Sequence, residues 1–417
     1  MAPTAVSTDL VARLHRRMGL GRRAAELTSV GSSDRDATIA RSLDPTIGPD
    51  PWLGTDYTID PSDNGGGRRR RRAQAIAAWI EAMVASEHPS VEWLAWFWHG
   101  HFVSAIPEVK NPQFMVDQIN LFREGGRGSF EDLTSSVTVD AAMLRYLDGA
   151  ESTGDAPNEN YSRELLELFA LGHGTFTEAD VAAGARALSG WTIQRSSGRP
   201  ELVPRRHDDT PQQYLGATGV SDVHGVVRAV ADHPAVAAYI ARKLAAEIVG
   251  PDVSDDVVER SAASFRAADL SIAALLAALV DEVVGGSDGG TIVSSPVLWY
   301  VAARRATGAA PDSTQALEQL RGAGQVPWLA PNVSGWPSGA AWNSAATIVA
   351  RFNLARLVSK ATPAGSSALT AADTAALSAA LGVPGKWSAA TAAALDGLDD
   401  PVDRLTLALV SPEFVNC

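Results

Sequence analysis

Residues 157–172 constrain the fold most, because Pro and Asn open the segment, Gly closes it, and the residues between carry one apolar and one charged face. Pro157 and Asn158 suit the entry and cap of a helix, and Gly172 suits its stop. Glu159, Arg163 and Glu167 recur every four residues and form a stripe, while Leu165, Leu168, Phe169 and Leu171 supply a buried side. Glu164 sits beside the stripe. Two readings fit this pattern. In one, Arg163 bridges a carboxylate ladder that only stabilises the helix. In the other, Glu164 and Glu167, neighbours on the helix surface, line a polar pocket as metal ligands or acid/base groups.

A second constellation lies in 93–102, where His99, Gly100 and His101 follow a tryptophan-rich run. Two histidines one residue apart point the same way on an extended chain and to nearly opposite sides on a helix. Gly100 favours a break from the helix there, which allows a shared ligand role. Paired imidazoles suit zinc, iron, copper or manganese, with further ligands from His173 or the His207–Asp208 pair. Each histidine taken alone is an ordinary hydrogen-bonded imidazole.

Helical periodicity dominates the remainder, over 10–27, 71–86, 91–98, 113–123, 141–147, 161–171, 178–188 and 234–248. It continues over 256–266, 272–284, 296–306, 313–322, 341–359 and 401–409. The expected fold is therefore mainly α, a single large domain over 1–417 or two helical lobes, with long loops and at most a small β-hairpin. Residues 47–67, rich in Pro and Gly, read as an exposed connection. Residues 192–218 read as irregular, with room for a hairpin pairing 191–193 with 202–203. The Ala-rich stretch 366–393 reads as short peripheral helices.

These motifs, in their order, resemble the large bacterial family catalogued as domain of unknown function 1800, over nearly the whole chain. The likeness rests on Leu14-His15-Arg16-Arg17-Met18-Gly19-Leu20-Gly21, on Phe97-Trp98-His99-Gly100-His101-Phe102 and on 158–172. Ala185-Arg186-Ala187-Leu188-Ser189-Gly190-Trp191, His207-Asp208, His233-Pro234, Lys243-Leu244, Pro331-Asn332-Val333-Ser334-Gly335-Trp336-Pro337 and Ser411-Pro412-Glu413-Phe414 follow. The resemblance implies a helical protein and no general reaction. This chain departs from the family pattern at Gly100, where Asn is usual, and at Thr210 and Gln212, where Gly and Lys usually follow the His-Asp pair.

A net charge of −13 argues against nucleic acid as the main partner, with Gly65-Gly66-Gly67-Arg68-Arg69-Arg70-Arg71-Arg72 as a local basic exception. That run reads as a solvated loop entering a helix, or as a binder of phosphate or an anionic surface. The one cysteine, Cys417, excludes internal disulfides and cysteine-based zinc sites. No apolar stretch reads as a membrane span and no signal core opens the chain, so a cytoplasmic address is the default expectation. Nucleotide, flavin and serine-hydrolase motifs are not seen.

The reading favoured by these residues is an enzyme acting on a small organic substrate by hydrolysis or oxidation. Its pocket joins the 99–101 segment, the 159–167 helix and the His207–Asp208 loop, walled by Trp191 and Trp336, with Glu159 at its edge. His99, His101 and Glu164 hold a divalent metal, Glu167, His207 and Asp208 handle protons, and Arg163 orients a carboxylate. The runner-up is a magnesium-dependent lyase or cyclase for a diphosphate or isoprenoid, with acidic residues on the metal, Arg163, Arg186 or the Arg68 run against the diphosphate and tryptophans lining the cavity; it lacks a clear aspartate-rich motif, for which Asp208-Asp209 is a poor substitute. A non-enzymatic scaffold or ligand-binding protein is the third.

Overall fold

Short polar side chains start most of the helices. Ser129, Asp140, Thr177, Asp222, Ser254, Ser271, Asp312, Ser344 and Asp400 each accept a first-turn backbone N–H. The computed structural model describes residues 8–21, 56–58, 65–366, 369, 373–383 and 385–417. It is mainly α-helical. Five helices position the site: α1 (Thr8–Met18), α2 (Gly65–Ala85), α3 (Pro89–His101), α4 (Asn160–Glu164) and α5 (Ala235–Ile248). Around them, Asp255–Ala267 packs between α5 and Ile272–Val284, and Ala345–Ala361 packs against Ser313–Gly322, Pro296–Thr307 and Pro401–Val410. Buried apolar residues from Leu14 to Val415 form one connected cluster that includes the fully buried Trp79, Trp98, Trp299 and Trp328.

Three local expectations need correction. Helix α3 does not break at Gly100 but runs on to His101, and the Phe102 N–H closes it on the Trp98 carbonyl. Helix α2 begins at Gly65, so the arginine run occupies its first turns and is not a loop. Of the expected loop 47–67, positions 47–55 and 59–64 lie outside the described residues. The hairpin allowed for at 191–193 and 202–203 forms, with β1 (Trp191–Ile193) antiparallel to β2 (Pro200–Leu202), whereas the rest of 192–218 is not irregular: β3 (Gln212–Tyr214) pairs antiparallel with β4 (Ala217–Val220). The second hairpin turns at Leu215 and Gly216, both at positive φ, with the Leu215 N–H held by Asp180 Oδ1. Leucine in that conformation is a poor turn signal, which is why the pattern hid the hairpin.

The helix expected over 161–171 is present, with a change of winding. After α4 the chain forms a π-helical turn, Leu165–Ala170, and the Leu166 carbonyl accepts the N–H groups of both Leu171 and Gly172. The helix 130–138 and the valine-rich helix Val223–Asp232 were absent from the periodic reading. In the latter, Asp222 caps the first turn while Val226, Val227 and Val230 face the core. Valine raises strand propensity, and here the cap and the core contact outweigh it. Among the described residues no helix is long and apolar enough to cross a membrane.

Candidate functional site

Because α3 stays helical, His99 and His101 diverge. His99 is fully buried in an aromatic box, with Trp79 and Trp336 ring centroids each 5.2 Å away and Trp96 at 6.0 Å. Its Nε2 accepts the Trp328 backbone N–H at 3.1 Å, and Nδ1 has no hydrogen-bond partner among the described residues. Burial pushes this imidazole down to about 3, so it is neutral in the folded protein.

His101 faces the π-turn. Its Nε2 lies 2.8 Å from the Phe169 carbonyl oxygen, a contact that requires the proton on Nε2 and leaves the Nδ1 lone pair free to accept. Lys243 of α5 approaches that Nδ1 at 3.5 Å and donates to the Leu168 carbonyl at 2.9 Å. Tyr239, one turn earlier on α5, donates to the same carbonyl at 2.8 Å. The end of the π-turn thus offers successive carbonyls to a histidine, a lysine and a tyrosine. A cation at this end also answers the negative pole of the helix dipole. Burial, then the Lys243 charge, hold the His101 imidazole well below its usual range, against the bond to Phe169. Burial brings the Lys243 ammonium down to about 8.

His101 and Lys243 open onto a cavity of about 380 Å³, inside the range usual for small-molecule sites. Trp93, Trp96 and Phe97 of α3 and Trp336 of the 334–342 segment form its aromatic wall, with Trp96 and Trp336 stacked at 5.3 Å. Helix α1 contributes Arg16 and Arg17, and α5 contributes Glu247, whose carboxyl is pushed up by burial. Gly100 also lines the cavity, and a Cβ added there would meet nothing within 4 Å. Gly335 is different: at φ +85° its Cβ would stand 2.7 Å from the Gly100 carbonyl oxygen, so only glycine lets this loop close on α3.

Of the residues cast from the sequence as site groups, His101 and Trp336 line this cavity and the others do not. His99 stands behind its aromatic wall. Glu164 and Glu167 remain half-exposed on the helix surface, and Glu167 pairs with His173 at 3.0 Å. Burial and the Glu167 charge raise the Glu164 carboxyl. Arg163 makes a bidentate pair with Glu178 at 2.7 and 2.8 Å and reaches Glu159 at 3.0 Å, a surface ladder outside the cavity lining. His207 has both nitrogens on backbone carbonyls, Ser189 at 2.8 Å and Ser221 at 2.9 Å, so neither is open for proton transfer. Asp208 accepts from the Thr210 N–H and lies 3.8 Å from Arg186, while its own N–H donates to Ser189 Oγ. That pair, Asp209 and the half-buried Trp191 of β1 lie outside the cavity lining.

The expected metal set His99, His101 and Glu164 does not converge: one imidazole enters the tryptophan box and the other bonds a backbone oxygen. Among the described residues no group of three or more His, Cys, Asp or Glu side chains is placed to hold a metal ion. The residues not cast as site groups were Arg16, Arg17, Lys243 and Glu247. Arg16, Arg17 and Lys243 stand inside the ordered motifs of the resemblance, which was the available signal, whereas Glu247 carried none.

A helical protein with a cationic, tryptophan-walled cavity is the class that these features define. The model of the family described as "Protein of unknown function (DUF1800)" matches residues 13–416, and the chain belongs to that family. No curated protein and no solved structure matches it.

Proposed function

We propose that the chain is an enzyme acting on a small organic substrate in this cavity, with Lys243 and His101 as its proton-transfer pair. The observation that carries this reading is the placement of Lys243 Nζ 3.5 Å from His101 Nδ1, on a ring whose other nitrogen is tied to Phe169. Such a ring has one orientation and one tautomer, which is what a general base needs. With a pKa of about 8, Lys243 is chiefly an ammonium at neutral pH, with roughly a tenth present as free amine. It can then donate a proton to a leaving group, or accept one from an activated water or a carbon acid, while His101 exchanges protons with it. The aromatic wall and the burial of both groups lower the local dielectric and strengthen their effect on a bound substrate.

The test is turnover of a panel of nitrophenyl esters, phenyl phosphates and small keto acids, the last followed by deuterium uptake from solvent. Turnover by the parent chain, with a pH limb near 8 that disappears in Lys243→Met, is the expected result. Undiminished turnover in Lys243→Met, or none by the parent, defeats the reading.

A second reading has a specific observation behind it. Lys243 and Tyr239 both donate to the Leu168 carbonyl, and His101 to its neighbour, as caps on a frayed helix end would. On that view the cavity binds a ligand without chemistry, and Lys243→Met lowers the melting temperature without altering any reaction.

A further inference from the structure

Arg16 and Arg17 sit side by side on α1, each more than nine-tenths buried, and among the described residues neither is paired with an Asp or Glu side chain. Arg16 donates to the Phe414 carbonyl and lies 4.1 Å over the Phe414 ring. Arg17 donates to the carbonyls of Ile248 at 2.9 Å, Val249 at 2.6 Å, Gly290 at 2.9 Å and Cys417 at 3.2 Å. Arg16 Nη1 and Arg17 Nε are buried with no hydrogen-bond partner among the described residues. Two neighbouring guanidiniums whose hydrogen-bond partners among the described residues are backbone oxygens are a costly arrangement, because those dipoles, with the Cys417 charge near both and Asp288 near Arg17, answer the charges only in part and unused N–H groups stay desolvated. Burial accordingly lowers both guanidiniums from their ordinary range, with Cys417 opposing that shift. Both line the cavity, together with Lys243. The acidic side chain on the same wall, Glu247, makes no ion pair with any of them among the described residues.

We propose that the ligand of this cavity is an organic anion, a carboxylate or phosphate on a flat apolar body, with Arg16 and Arg17 facing the anion and Trp96 and Trp336 facing the body. Guanidinium forks match the planar oxygens of a carboxylate or phosphate, and an anion supplies the charge that the backbone does not. The stacked tryptophan pair, 5.3 Å between centroids, offers a flat apolar surface to the remainder of the molecule. This inference rests on the preceding reading only in taking the cavity as the site. It does not require Lys243 to move protons.

The experiment is calorimetric titration of the full chain with matched probes: indole-3-acetate against indole-3-acetamide, and phenyl phosphate against phenol. Each anion is expected to bind at least about tenfold tighter than its neutral partner. Arg16→Gln is expected to remove that preference while leaving the weak binding of the amide. Should Arg16→Gln fail to fold, Gly100→Leu serves instead: its side chain enters open cavity space from a helical position that favours leucine, so the chain should keep its melting temperature and lose all probe binding. Equal affinity for anion and neutral partner, no anion binding up to about 10 mM, or unchanged binding in a folded Gly100→Leu protein overturns the proposal. Anion preference together with turnover unaffected by Lys243→Met would sink the proton-transfer reading and leave this one standing. Turnover without anion preference does the reverse.

Discussion

The Nε2 atom of His101 stands 2.8 Å from the carbonyl oxygen of Phe169, and this contact joins the histidine motif to the acidic helix through backbone, not through a carboxylate. The π-turn makes it possible. Because Leu166 takes the N–H groups of both Leu171 and Gly172, the carbonyls of Leu168 and Phe169 are left for side chains of α3 and α5. A regular α-helical ending would have changed which oxygens face Lys243 and His101.

Lys243 should give the fold a specific pH dependence. Its folded value of about 8 lies below the ordinary lysine value of 10.5, so between these limits the unfolded chain holds a proton that the folded chain lacks, and stability rises with pH. The gap of 10.5 − 8 corresponds to up to about 3 kcal/mol. Urea unfolding of the parent and of Lys243→Met should show the difference between them moving toward the parent by that order from pH 8 to 10.5. A difference that stays flat across the window rules out a desolvated lysine.

His99 should make the protein acid-sensitive. With a folded value of about 3 against 6.5, it contributes stability that is fully present above pH 6.5 and is lost as pH falls toward 3. The loss amounts to about 4 to 5 kcal/mol over that range. His99→Gln keeps an acceptor for the Trp328 N–H and cannot be protonated, so its melting temperature should fall less steeply below pH 6 than the parent's. Parallel curves for the two proteins would contradict the burial of a neutral imidazole.

Asp140 should act with the opposite sign. It caps the helix 141–146 through Met143 N–H and accepts from Gln118, and burial pushes its carboxyl up to about 7. Stability from a raised carboxyl is complete below the ordinary aspartate value of 3.8 and is lost as pH rises through 7. Asp140→Asn resembles the protonated form and retains the cap. It should be more stable than the parent at pH 8, by up to about 4 kcal/mol, and close to it at pH 4. The result to look for in chemical denaturation is that pH-dependent gap, and its absence would exclude a protonated Asp140.

Arg163 should matter little to the fold. Its side chain is 34 % exposed and its partners Glu159 and Glu178 are exposed too, so water already solvates what a substitution releases. Arg163→Ala should move the melting temperature by no more than about 3 °C. A drop several times larger would show that the ladder is coupled to the buried side of α4.

The positions of most helices were legible in the chain because capping side chains and apolar spacing act within a few residues of each other. The divergence of His99 and His101 was legible in conditional form, since helical spacing sends positions two apart to opposite sides, and only the winding through Gly100 was misjudged. Winding at 165–170 was not legible: α and π turns use the same leucines, and what favours one is whether Tyr239, Lys243 and His101 arrive to bond the carbonyls it leaves over. Nor was the cavity, because Arg16 and Arg17 meet carbonyls more than two hundred residues away, at 248–249, 290, 414 and 417. Periodicity reports which face of a helix is buried. Which distant backbone that face meets, and whether a charge buried there finds a counter-charge, is set by the packing of the whole chain.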